Sequence, residues 1–355
     1  METMRGGVLV EPYKIEIVDY ERPAVGADSV LIRLDGIGIC GSNLHWWTGG
    51  GPATRLMQFP MPGAGGHEFA GTVVDTGSRV RTVKVGDRVA IDQFESRSCG
   101  GCVYCARGLF TQCTRIRPPG LEGFVEYLSL GERGLYVIPE GIETHVASLV
   151  QPYACAVSGV RRAGLAGGET VVVLGAGVLG LCAAGAAKVL GAEKVIITAK
   201  YDAQKELAAR FGADVVLPSG DEHLVERILE ETDGRGADLV VETVGSHAPT
   251  LAQALEIVRP AAKVVVLGLW DDLVPIDSWQ AILKDVTLLF CLNHGVVGNR
   301  ADYELCLDWM ASRKVPAQDL VSHVLPLDQL EEGFRLAADK SRGATKVIIR
   351  PGAAA

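Results

Sequence analysis

The sequence predicts an α/β chain of two domains, one β-rich and one built on a doubly wound parallel sheet. Three observations carry this. Residues 1–155 hold short β-like runs separated by turn-forming Gly and Pro. Residues 156–295 alternate strand-like and helix-like runs, the pattern of parallel strands joined by crossover helices. A Gly-x-Gly-x-x-Gly turn, Gly175 to Gly180, joins the first strand of that alternation to its first helix.

The elements follow in order. METMRGGVLVEPYKIEIVDY reads as two short strands, and VLIRLDGIGI, FAGTVVDTG, DRVAID, FVEYLSL and LYVIP as further strands. TVVVLGAG, KVIIT, ADLVVETVG, KVVVLGLW and VTLLF are the strands of the second region. LGLCAAGAAKVLGA, DAQKELAARFGA, DEHLVERILEETDG and TLAQALEIV are its helices, the acidic third one with a solvated face. Residues 296–355 add two helices, ADYELCLDWMASRK and LDQLEEGFRLAADKS, and a closing strand, TKVIIRP. Residues 171–192 are apolar enough to suggest a membrane span. The glycine turn inside them reads instead as a buried strand running into a buried helix.

Composition narrows the function. With 355 residues, 48% of them hydrophobic, the chain can bury two cores. A net charge of −9 argues against a broad basic surface for nucleic acid. The N-terminus has no apolar core of the signal-peptide kind, and the chain is rich in clustered thiols, so a reducing cytoplasm is the expected compartment.

Cys99, Cys102, Cys105 and Cys113 fall within SCGGCVYCARGLFTQC. Four thiolates so close suit one tetrahedral Zn²⁺, whereas disulfide geometry among them is awkward. A closed four-thiolate site leaves no open position, so this zinc is structural, in a lobe at about 95–115.

Gly175, Gly177, Val178, Leu179 and Gly180 form the turn expected to cradle a dinucleotide pyrophosphate at a helix N-terminus. Strands that bind NAD commonly end in an acidic residue that accepts from the ribose 2′-OH; here the place falls at Ala199, followed by Lys200. A small residue leaves room and a cation pairs with a 2′-phosphate, so NADP(H) is expected ahead of NAD(H). The plainer reading makes Lys200 a solvated surface lysine.

GICGSNLHWW around Cys40 and GGHEFAG around His67 place sulfur, imidazole and carboxylate (Glu68) ligands of the kinds zinc accepts. With the four-cysteine lobe, Gly66-His67-Glu68, GFVEY at Gly123 to Tyr127 and the glycine turn, the chain resembles the medium-chain zinc-dependent alcohol and polyol dehydrogenases over nearly its whole length. Among them it is most similar to the sorbitol, butanediol and threonine dehydrogenase group. The resemblance implies a GroES-like catalytic domain (1–155) and a Rossmann cofactor domain (156–295), with 296–355 returning to complete the first. It implies catalytic zinc on Cys40 and His67, with Glu68 ligating directly or swinging in. It also implies a proton relay through Ser42 and His45, and Cys155 beside the nicotinamide. Trp46, Trp47 and Phe124 are expected to line the substrate pocket, and His294 and Arg300 to lie at the surface. A homodimer or homotetramer is implied as well.

Two departures stand out. Asn43 replaces the usual aspartate, and its oxygen is expected to accept from His67. Gln151 stands where a ligand is often found, and is expected to hold at most a water there. The implied activity is hydride transfer between a secondary alcohol or polyol, or its ketone, and NADP(H) or NAD(H). The alternatives are a zinc-free reductase of enones or quinones on the same fold, and a catalytically silent nucleotide-binding protein.

Overall fold

The computed structural model describes residues 2–50 and 58–352. The chain forms two compact units, 1–151 with 298–313 and 317–355, and 152–297 with 314–316.

In the first unit, β1 (Thr3–Glu11), β2 (Lys14–Glu21), β3 (Ser29–Gly38), β4 (Met61–Pro62), β5 (Glu68–Thr76), β6 (Arg88–Ile91), β7 (Tyr127–Gly131) and β8 (Leu135–Val137) carry two short helices, α1 (Gly41–Thr48) and α2 (Gln93–Arg97). Helix α3 (Val150–Ala163) leads on to the second unit. There β9 (Thr170–Leu174), β10 (Lys194–Ala199), β11 (Val215–Pro218), β12 (Ala237–Glu242), β13 (Val258–Val266) and β14 (Thr287–Phe290) alternate with α4 (Val178–Val189), α5 (Asp202–Arg210), α6 (Leu224–Glu230), α7 (Thr250–Ile257) and α8 (Ser278–Leu283). After the dipeptide strands β15 (Val296–Val297) and β16 (Arg300–Ala301), α9 (Asp302–Ala311), β17 (Val321–Pro326), α10 (Leu330–Ala338) and β18 (Lys346–Arg350) return to the first unit.

The large sheet of the first unit runs β17-β18-β3-β5-β6-β8, with β7 also on β3. Its β3 is flanked by β5 and β18: Gly38 pairs with Glu68 on one side and Ile348 on the other. Alternation drives the assembly. In β3, Val30, Ile32 and Leu34 are sealed from solvent in a core shared with Phe69, Val89, Phe124 and Phe334. The chain's return is therefore part of this core, because β18 and α10 supply Val347, Ile349 and Phe334.

The second unit is an all-parallel sheet in the order β11-β10-β9-β12-β13-β14. Val171 to Leu174, Val195 to Ile197 and Leu239 to Val241 are buried, as expected of strands covered on both faces. The order reverses between β9 and β12, so the crevice for a ligand opens at the carboxyl ends of these two strands. Residues 171–192 divide into β9, a turn and α4, and no helix among the described residues is long and apolar enough to cross a membrane.

Candidate metal centres and cofactor turn

Cys40 is the N-cap of α1. Its sulfur accepts from the Asn43 backbone N–H, and the Asn43 side chain accepts from Cys40 N at 2.9 Å. His67 lies just before β5, and Glu68 is the first residue of that strand. One ligand atom from each of Cys40, His67 and Glu68 lies within 4.8 Å of the others. This S, N, O donor set suits zinc. Ser42 Oγ is 3.4 Å from His67 Nε2, and His45 follows Ser42 by one helical turn on α1.

Three expectations need correction. Asn43 does not receive the His67 proton. Its oxygen is taken by Cys40 N, and its amide donates to the Gly65 carbonyl at 2.8 Å. His67 Nδ1 is 2.9 Å from that same carbonyl, so Gly65 orients the imidazole and Nε2 is left for a metal. Phe124 and Trp47 are core rather than pocket. Phe124 stacks edge-on against Phe334 at 5.5 Å, and Trp47 packs on Tyr13 and Phe334. Trp46, one position round the helix, turns to His67 instead, with ring centroids 5.9 Å apart. His294 is buried, not at the surface, while Arg300 pairs with Asp308.

One partner escaped the sequence reading. Lys346, the first residue of β18, places its Nζ 2.7 Å from both Glu68 oxygens and 3.0 Å from the Ile39 carbonyl. The two side chains meet across the end of β3. Gly38 permits this, because a Cβ there would strike Glu68 Oε2. Any metal bound by Glu68 would share the carboxylate with Lys346, which already offsets its charge. A lysine opening a strand of buried residues was the available signal, but it does not name the partner.

Burial opposes a Cys40 thiolate, yet the charge and hydrogen bond of His67, together with the charge of Lys346, hold the thiol below its ordinary value. Burial likewise opposes a charged His67, but the Cys40 thiolate lifts the imidazole to about 9. Without metal the two groups favour each other's charged forms. Lys340 is pushed down to about 8 by burial and by Lys346.

In the second cluster, the ligand atoms of Cys99, Cys102, Cys105 and Cys113 all lie within 4.8 Å of one another. Cys102 Sγ is 3.4 Å and Cys99 Sγ 4.0 Å from Cys105 Sγ. A tetrahedron with arms of 2.3 Å has edges of about 3.8 Å, so four sulfurs at this spacing fit zinc. Backbone donors favour the thiolate at two of the four sulfurs. The N–H groups of Cys105 and Thr114 hold Cys102 at about 5, and the Gly101 N–H lowers Cys99.

In the second unit, the turn after β9 opens α4. Gly177 is its N-cap and makes no side-chain cap, so the first N–H groups keep their donors. A Cβ on Gly177 would meet nothing within 4 Å, while one on Gly180 would strike the Gly175 carbonyl. This is an open cradle floored by a close backbone approach, and it fits a pyrophosphate. At the end of β10, Ala199 is buried and Lys200 makes no ion pair among the described residues. Its Nζ lies 5.5 Å from the Tyr201 ring centroid, and nearby Asp202 is taken by Lys205 at 2.8 Å. Cys155, on α3, donates to Asn293 Oδ1 at 3.3 Å, and Gln151 is buried in the first turn of that helix.

Comparison with known proteins agrees. The sequence model of the alcohol dehydrogenase GroES-like domain matches residues 26–140, and that of zinc-binding dehydrogenases matches residues 178–312. The chain is 32% identical over 349 residues to an L-threonine 3-dehydrogenase of Pyrococcus horikoshii, covering 95% of this chain and 96% of that protein. The chain belongs to the zinc-dependent medium-chain dehydrogenases. A Bacillus subtilis sorbitol dehydrogenase of this family is 29% identical over 355 residues, 99% of this chain and 98% of the relative. The crystal structure of 2R,3R-butanediol dehydrogenase from Bacillus subtilis superposes with a TM-score of 0.81 at 28% identity, covering 98% of this chain and all of that one. As a medium-chain dehydrogenase, the chain is an oxidoreductase of alcohol groups that works with a nicotinamide cofactor and zinc.

Proposed function

We propose that this enzyme oxidises a secondary alcohol or polyol, or reduces the corresponding ketone, with NADP(H) preferred. The observation that carries this is the convergence of Cys40, His67 and Glu68 beside the Ser42 hydroxyl. Cys40 and His67 would hold the catalytic zinc, with Glu68 shared between metal and Lys346 and Gln151 reaching it only through water. When bound, zinc supplies a Lewis acid that lowers the alcohol's pKa, and the nicotinamide supplies the hydride acceptor. Ser42 Oγ accepts the substrate's hydroxyl proton as it passes its own on toward His45, which releases one to solvent. Trp46 gives the site an apolar wall that excludes water from beside His67. Cys155 stands near the nicotinamide. Cys99, Cys102, Cys105 and Cys113 hold the structural zinc.

Lys200 supports the NADP(H) preference, as a cation without an ion-pair partner among the described residues, placed where the 2′-phosphate would lie. A homo-oligomer is supported by the edge strand β14 and its neighbour α8, where Trp279, Ile282, Leu283 and Phe290 are exposed. The thiolate-dependent lobe supports a cytoplasmic site of action.

The test is zinc per chain together with NADPH oxidation on ketones and enones. Two zincs and ketone turnover are expected. One zinc with enone turnover would replace this reading with a zinc-free reductase, and cofactor binding without turnover would leave a silent binder.

A further inference from the structure

Glu242, the last residue of β12, is fully buried at the crevice where the strand order reverses. Its Oε1 accepts three hydrogen bonds, from Val244 N at 2.8 Å, Gly245 N at 3.0 Å and Thr250 Oγ1 at 2.7 Å. A buried carboxylate carrying this many donors fixes the loop that leaves the strand. Thr243 begins that loop. Its hydroxyl donates across the crevice to the Leu174 carbonyl at 2.8 Å and lies 3.3 Å from the Gly175 carbonyl. Its backbone N–H reaches Leu174 O as well, at 3.1 Å. Val244 presses on the same turn, since a Cβ on Gly175 would come within 2.6 Å of Val244 Cγ2. From the β10 side, Thr198 Oγ1 accepts from Gly175 N at 2.8 Å.

We infer that Glu242 and Thr243 are positioning residues for the cofactor. Glu242 sets the loop, Thr243 latches it to the Leu174 and Gly175 carbonyls, and the latch holds the glycine turn in the shape that receives the pyrophosphate. Neither residue needs to touch the dinucleotide, because both act through the turn's backbone. The inference rests on reading the Gly175–Gly180 turn as the cofactor cradle. It adds that the cradle's geometry is set in part from the end of β12, 68 residues along the chain from Gly175.

The consequence differs from that of Lys200. NADPH and NADH share the pyrophosphate, so loosening the turn must weaken both equally, whereas a contact to the 2′-phosphate matters to NADPH alone. Removing the latch as Thr243→Val keeps the shape and leaves a buried carbonyl without its hydroxyl donor. That is expected to weaken binding roughly fivefold to tenfold. Thr243→Ser restores the hydroxyl and should restore the affinity. Glu242→Gln keeps the side chain's shape, weakens three hydrogen bonds, and should move both affinities in the same direction.

The experiment is fluorescence titration of NADPH and of NADH into the wild-type enzyme and these three variants, with thermal midpoint and zinc content measured on each. The inference expects Thr243→Val to lose affinity for both cofactors by the same factor, at unchanged midpoint and zinc content, with recovery in Thr243→Ser. Affinities equal to wild type in Thr243→Val would overturn it. So would a loss confined to NADPH, or a loss that only tracks a lowered midpoint. A wild-type enzyme that binds neither cofactor would overturn the reading of the cradle, and this inference with it.

Discussion

Lys346 Nζ stands 2.7 Å from both carboxylate oxygens of Glu68, and both side chains are closed to solvent. The pair ties the first residue of β18 to the first residue of β5, next to the proposed metal centre. Removing one partner leaves the other charge buried. Lys346→Met is therefore expected to destabilise the protein by about 3–5 kcal/mol. Lys346→Met with Glu68→Gln should recover part of this, because no charge is then stranded. Urea denaturation of the two single variants and the double variant measures the coupling. Single and double losses that simply add would mean that the pair carries no net interaction.

Asn43 donates to the carbonyl that orients His67, and an aspartate cannot. Asn43→Asp would face the Gly65 carbonyl with a carboxylate in place of an amide donor. Zinc affinity at the Cys40–His67 site should fall about tenfold or more, the usual effect of disturbing a ligand's supporting hydrogen bonds. Chelator competition on metal-depleted protein reads this. A gain in affinity would mean that the carboxylate captures the His67 proton directly, and that the Gly65 arrangement is dispensable.

The His67 pKa of about 9 in the metal-free pair fixes a pH dependence. A metal needs the neutral imidazole, so below about 9 zinc must displace a proton from His67. Apparent zinc affinity should then rise about tenfold per pH unit until pH nears 9. The sign reverses for the stability of the metal-free protein. The raised pKa contributes stability that is fully present below His67's ordinary value of 6.5 and is lost as pH rises through about 9. Proton release on zinc addition, followed in weakly buffered solution, tests the first claim; release near zero at pH 7 would refute it.

Cys105 and Cys113 are the buried members of the four-cysteine lobe, and burial raises the Cys105 thiol while Cys99 and Cys102 are lowered. Cys105→Ser should remove one zinc per chain and leave the other in place. Elemental analysis should fall from about two to about one. A fall to zero would show that the two sites are not independent.

Lys200→Ala should weaken NADPH about tenfold, the scale of one lost charge-assisted hydrogen bond, and leave NADH unchanged. Equal affinities for NADPH before and after would return Lys200 to a solvated surface role.

The sequence by itself determined whatever depends on neighbours along the chain. The four cysteines, the Gly175–Gly180 turn between β9 and α4, and the strand–helix alternation that gives the parallel sheet all lie within local stretches. Their chemistry follows from spacing and from backbone freedom. The pairing of Lys346 with Glu68 spans 278 residues. It exists because β18 and β5 flank β3 in one register, which no local pattern encodes. The same holds for Thr243 against Leu174, brought together by the β9–β12 pairing. It holds also for Asn43, whose amide found the Gly65 carbonyl rather than His67 because Cys40 N had already claimed its oxygen. Trp47 and Phe124 read as pocket residues by residue type, yet packing against Phe334 on the returning α10 made them core. Ligand types are a property of the sequence. Which group orients, neutralises or latches each ligand was decided by sheet register and by the competition of donors for a few buried oxygens.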